Sequence, residues 1–220
     1  MTLLRKCDIA LMAIIVVTLI ATVIMAQTAP DYFPRVFAVE DGPVEYATAL
    51  FLLVACGVLA THAVSLWGKG RRGAALLTVF YALLFFMAAG EEVSWGQRLI
   101  GWESGEFFQQ HNKQNETNLH NLMVGDVHLT KSLFGPVLTI VILLYLVALP
   151  LVYPKGGRIA QLADAMAVPV PWLHHGAIAL VASLVIAFLD VGRKYEVYEL
   201  IFSLLVVSIF LLPQNRSKTR

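Results

Sequence analysis

Residues 73–98, GAALLTVFYALLFFMAAGEEVSWGQR, decide what kind of protein this is. From Gly73 to Gly90 there is no charged side chain, and then Glu91 and Glu92 stand side by side. An uncharged apolar run of about 18 residues or more reads as a membrane-crossing helix. A helix rises about 1.5 Å per residue, so Glu92, twenty positions after Arg72, lies roughly 30 Å from it, the thickness of a hydrocarbon core. The run therefore predicts a span that starts at a basic turn and delivers two carboxylates to the opposite boundary.

Outward from that run the pattern repeats. Apolar segments at about 9–26, 43–67, 73–92, 132–153, 171–190 and 197–213 each approach the roughly 20 residues a span needs. They predict an all-α, polytopic membrane bundle of six transmembrane helices in a single domain over residues 1–220. Arg5 and Lys6 ahead of the first run resemble a signal peptide, but the run is long for one and the small-residue site near Ala26 is poor, so a retained helix is expected. Hydrophobic residues make up 58% of the chain, charged residues 14%, and mean hydropathy is +0.72, far more apolar than a soluble domain. A net charge of +1 without a basic block provides no nucleic-acid footprint. Cys7 and Cys56 sit in or beside apolar runs and support neither a disulfide framework nor a thiolate metal site.

Lysine and arginine set the expected orientation. With the N-terminus cytoplasmic, ten basic residues (Arg5, Lys6, Lys69, Arg71, Arg72, Lys155, Arg158, Arg216, Lys218, Arg220) fall inside and six (Arg35, Arg98, Lys113, Lys131, Arg193, Lys194) outside. That asymmetry predicts a multi-pass membrane protein with both termini cytoplasmic. The acids gather at the other side. Counting along the helices puts Glu45, the Glu91–Glu92 pair and Asp190 at one boundary layer, with Glu199 several ångströms deeper and Glu196 nearer the surface. Single boundary acids such as Asp31, Glu103, Glu106 and Asp126 are explained by water. Several at one depth would repel unless protonated, paired with Arg98 or bound to a cation.

The polar stretch from Gly90 to Asn121 holds the other candidate groups. Glu91, Trp95 and Arg98 stand at i, i+4 and i+7, which would share one helix face, and Glu116 and His120 stand at i and i+4. Leu119, Leu122 and Met123 at roughly helical spacing predict a short helix in the outer loop from Trp102 to Lys131, folding Glu116 and His120 over the mouth of the bundle. Glu92, His120, Arg98 and Asn118 are the candidate catalytic residues. Glu45, Glu91, Glu92, Glu116, His120 and Glu199 are the candidate ligands of a divalent metal ion such as Mg, Mn, Fe or Zn. Trp95, Trp102, Phe107 and Phe108 read as an outer aromatic belt, or as a groove admitting a lipid chain sideways. His62, His174 and His175 lie toward the inner boundary and read as interfacial packing, whereas the position of His128 says nothing further.

The block GEEVSWGQRLIGWE (90–103) followed by ETNLHN (116–121), preceded by Glu40-Asp41-Gly42 and Glu45, resembles a family of uncharacterised bacterial multi-pass membrane proteins. That resemblance implies a location in a bacterial inner membrane and carries no activity with it. The stretch also partly resembles the CAAX-type intramembrane proteases, which place EExxxR on one helix and histidines on later ones. Here Arg98 falls two positions too late, and Phe107 with His111 comes in a loop.

The mixed Glu, His, Asn, Gln and Arg inventory could supply base, acid and anion-holding groups together. It leads to the expectation of a membrane hydrolase or transferase acting at the outer face on a lipid or lipid-linked substrate. A proton- or cation-coupled transporter and a non-catalytic accessory subunit are the alternatives.

Overall fold

The computed structural model describes residues 2–119, 121–124, 127–128 and 140–220. Its long helices are α1 (Leu3–Thr28), α2 (Pro43–Gly68) and α3 (Arg72–Glu92), followed by a short α4 (Glu106–His111) in the loop. After a two-residue hairpin, Met123–Val124 paired with Val127–His128, come α5 (Ile140–Lys155), α6 (Gly157–Ala165), α7 (Leu173–Phe188), α8 (Lys194–Leu211) and a last turn α9 (Arg216–Thr219).

Among the described residues α1, α2 and α3 are long and apolar enough to cross a membrane, and α5 with α6 makes a fourth if that bent pair is one span. The count falls short of the six expected for identifiable reasons. The first part of the fourth segment, 132–139, lies outside the described residues. Beyond it the chain turns by 112° at Gly156 and Gly157, both with the positive φ that glycine adopts without strain. The 16 residues of α7 reach only about 24 Å. The 18 of α8 include Lys194, Glu196 and Glu199 in its first two turns.

Sequence explains most of the local structure. Pro43 at the first turn of α2 lacks the amide that would go unpaired there, and Glu45 in the same turn suits the positive end of the helix dipole. The turn from α2 to α3 closes with Arg71 N–H on Leu66 C=O at 3.0 Å. Buried Ala55, Ala63, Ala74, Ala75 and Ala82 let α2 and α3 approach closely. In lipid, where apolar contact with a neighbour gains nothing over contact with acyl chains, small residues add packing through close approach.

The middle of the bundle is α8. It packs against α1, α2 and α7, and Phe210 meets Phe85 of α3 edge-on with ring centroids 5.1 Å apart. Every residue from Ser203 to Phe210 is buried. The helix is apolar on all sides because it is surrounded on all sides. Its C-terminal end is tied down by polar contacts: Asn215 donates to Asp164 Oδ1 at 3.1 Å and to Val168 C=O at 2.9 Å. Arg71 donates to Asp164 C=O at 2.6 Å. The result is a bundle with a basic end around Arg71 and an acidic end where α3 stops and α2 and α8 begin.

Candidate functional site

The acidic end is shaped by how α3 terminates. After Glu92 the chain takes three left-handed residues in succession, Ser94 (φ 46°), Trp95 (φ 55°) and Gly96 (φ 75°). For residues with a side chain that conformation costs about 1–2 kcal/mol each, so surrounding contacts must hold it. The Trp95 ring lies on Gly90, where an added Cβ would come within 2.8 Å of it, and meets Phe86 at 6.0 Å between centroids. Trp95 Nε1 donates to Glu91 Oε1 at 3.0 Å. The expected continuous face through Glu91, Trp95 and Arg98 is therefore corrected: the i, i+4 contact forms, but Arg98 rises from a separate turn, Gln97–Ile100.

From that turn Arg98 reaches across the mouth of the bundle. Its guanidinium lies 2.6 Å from Asp41 Oδ2, 2.8 Å from Glu116 Oε1 and 3.8 Å from Glu45 Oε1. Glu116 Oε2 also accepts from Ser94 Oγ at 2.6 Å and Asn118 Nδ2 at 2.9 Å. With its oxygens so engaged, Glu116 serves the loop's own structure. It lies on no helix. The short helix of the loop forms at Glu106–His111 instead, because Asn112 and Asn118 bond side chain to backbone beyond it, a competitor to helix that asparagine readily offers. His120, expected to join Glu116 as base or ligand, lies outside the described residues, as does Asp126.

Beneath Arg98 is a cavity of about 510 Å³ lined by Glu45 from α2, Glu91 and Glu92 from α3, Glu196 and Glu199 from α8, and by Arg98, Asn118 and Arg193 among others. One carboxylate oxygen of each of Glu92, Glu196 and Glu199 lies within 4.8 Å of the others. Glu45 accepts the Asp41 N–H at 2.8 Å, and Glu91 accepts from Trp95 and from the Leu119 amide. Of the sequence candidates, Glu45, Glu91, Glu92, Arg98, Asn118 and Glu199 thus meet in one cavity, joined by Glu196. Asp190, counted to the same layer, is exposed and does not line it. An all-oxygen trio suits a hard divalent cation such as Mg or Mn better than zinc.

Three chain segments close over the cavity at Glu40. It accepts from Arg193 Nη2 at 2.7 Å and from Gln114 Nε2 at 2.5 Å, with Arg98 at 3.7 Å. Burial pushes the Glu40 carboxyl up, but the Arg193 and Gln114 hydrogen bonds and the charges of Arg193 and Arg98 outweigh it and hold it below the usual glutamate range.

Sequence reasoning missed a second cluster, at the basic end. Asp8 of α1 is buried and accepts from Ser208 Oγ of α8 at 2.6 Å, from His175 Nε2 of α7 at 2.9 Å and from His174 Nε2 at 3.2 Å. His175 Nδ1 accepts the Trp172 N–H at 3.1 Å, so the proton of the neutral ring sits on Nε2 and points at Asp8. A metal would need that nitrogen's lone pair. The cluster is a polar staple between three helices. No serine–histidine bond exists within it for nucleophilic chemistry. Its sequence signal was faint, an acid at the head of the first apolar run with partners 166 or more positions away.

Set beside protein-family models, curated proteins and solved structures, the chain finds no match in any of the three comparisons.

Proposed function

We propose that this chain is a polytopic membrane enzyme, a hydrolase or transferase, acting on a lipid or lipid-linked substrate at the outer face of a bacterial inner membrane. In this reading six segments cross the membrane and both termini are cytoplasmic. The observation that carries it is the convergence of Glu45, Glu92, Glu196 and Glu199 from three helices in one cavity, with Arg98 and Arg193 on its wall. Glu45, Glu91 and Glu116 accept hydrogen bonds from their surroundings, whereas Glu92 and Glu199 face each other and Glu196. Glu92 and Glu199 are therefore the candidate base and the candidate holders of a divalent cation, which would supply Lewis acidity to a bound substrate. Arg98, fixed by Asp41 and Glu116, positions the loop that roofs the cavity. A cation-coupled carrier would use the same acids, but among the described residues α8 buries Ile201, Leu204 and Leu205 below them, with hydroxyls such as Ser203 as the polar groups of that layer.

The test is turnover of native lipid. Purified protein in vesicles of bacterial total lipid, with manganese or with a chelator, is followed by mass spectrometry of the lipid species. The wild type should consume a species in a metal-dependent way. Glu92→Gln or Glu199→Gln should slow this at least ~100-fold, while the exposed Glu103→Gln should leave it near wild type. Lipid profiles identical for the wild type and Glu92→Gln would defeat the enzyme reading.

A further inference from the structure

The loop lobe from Ser94 to Leu119 combines a polar interior with several large apolar side chains on its surface. Its interior is polar: Ser94 is 1% exposed and Asn118 3% exposed, and Ser104, Asn112 and Glu116 are buried with them. That interior is fully connected. Ser104 Oγ bonds Gln97 Oε1 at 3.0 Å and Asn115 C=O at 2.7 Å. Thr117 N–H reaches Gln97 Oε1 at 2.8 Å, and Gln109 donates to Ser104 C=O at 2.8 Å. Its exterior carries the large apolar side chains: Leu99 is 66% exposed, Ile100 78% and Phe107 57%, with Trp102 and Leu119 also on the outside. These side chains share the exterior with polar ones such as Gln110 and Lys113, but exposed apolar surface is what folding in water removes, and a patch of this kind marks a binding surface.

We infer that this apolar exterior lies in the bilayer interface, so that the roof of the acidic cavity is itself a membrane-embedded element. The occupant of the patch is the lipid surface, for two reasons of geometry. The lobe starts at Glu92, where α3 reaches its boundary, and its first residues turn back along the span. Trp95 packs on Gly90 and Phe86, and Phe86 stands half-exposed on the outer surface of α3 with Leu83 and Met87. Trp95 therefore ties the start of the lobe to the exposed apolar side of a helix long enough to span a membrane. In addition, the buried polar groups inside the lobe bond to one another, as groups must where water is scarce. Glu103 and Glu106 on its rim favour zwitterionic over anionic headgroups. The inference does not depend on the cavity being catalytic, and its consequence is that a ligand of the cavity arrives beside lipid.

Spin labels test it. In a Cys7→Ala, Cys56→Ala background, single cysteines replacing Leu99, Ile100 or the polar, exposed Gln110 are labelled, and the protein is placed in phosphatidylcholine vesicles. The Leu99 and Ile100 labels should be relaxed more by oxygen, which partitions into lipid, than by a water-soluble nickel chelate, and the Gln110 label the reverse. Nickel accessibility at Ile100 equal to that at Gln110 overturns the inference. So does shielding of Ile100 from both reagents that disappears when protein is diluted into excess lipid, which would mean that a second copy covers the patch. Loss of lipid turnover in these variants bears on the cavity's chemistry and leaves the accessibility result standing.

Discussion

At the residue scale, the acids of this protein separate into those with assigned partners and those that face one another. Arg98 accounts for most of the first group, holding Asp41 and Glu116 at 2.6 and 2.8 Å and lying 3.8 Å from Glu45. A bidentate guanidinium fits this work better than an ammonium, since it offers several donors in one plane. Glu40 belongs to the same group, and its lowered pKa has a consequence for pH. A carboxyl held below its ordinary value, 4.5 for glutamate, contributes stability that is present above that value and is lost as pH falls through the lowered one. Thermal unfolding in detergent should therefore show Glu40→Gln less stable than the wild type at neutral pH, with the gap closing as the medium is acidified below the ordinary glutamate value of 4.5. A gap that is constant or grows on acidification would mean that the Arg193 and Gln114 contacts do not hold Glu40 in its charged form.

At the scale of elements, two glycines show how closely the helices and turns depend on a missing side chain. Gly176 of α7 sits against α5, where an added Cβ would lie 2.5 Å from the Leu146 carbonyl oxygen. Backbone cannot move aside as a flexible side chain can, so Gly176→Ala should force the two helices apart at a cost of about 1–3 kcal/mol. Melting curves would register that as a clear fall in transition temperature, while Gly57→Ala, with nothing within 4 Å of the added carbon, should leave it unchanged or raise it slightly. Equal melting of the two variants would place α5 and α7 further apart than described. Gly90 has the same relation to Trp95, which is how one residue in the last turn of α3 decides where the whole lobe after it begins.

At the scale of the molecule, polarity is divided between two ends. The carboxylate cavity occupies one, and the Asp8 staple with Arg71, Asp164 and Asn215 occupies the other. Between them the core around α8 is apolar apart from hydroxyls such as Ser203, which bonds the Leu200 carbonyl of its own helix at 2.8 Å. The proposed topology puts the acidic end on the outer side, on the strength of the ten-to-six distribution of basic residues. Reporter fusions ending at Gly105 and after Arg220 should give outside and inside signals respectively. The same side from both would overturn the topology and with it an outer-face site.

What the sequence determined by itself is whatever can be counted along one helix axis. The uncharged run from Gly73 to Gly90 is long and apolar enough to cross a membrane as a helix, whose backbone groups pair within the segment, and a fixed rise per residue brought Glu45 and Glu92 to one level with Glu199 nearby. What it left open is rotation about those axes and the choice of neighbours. α1 and α8 both read as apolar on every side, yet α1 leaves Val17 and Ile20 exposed while α8 is enclosed by other helices. Lipid and protein interior are equally apolar, so no periodicity distinguishes them. For the same reason Asp190 could be counted to the right depth and still miss the cavity, Glu196 could join it, and Asp8 could find His175 across 167 positions. The break after Glu92 was equally illegible, because the left-handed Ser94 and Trp95 are held by Gly90, Glu116 and Asn118, residues that only the folded chain brings together.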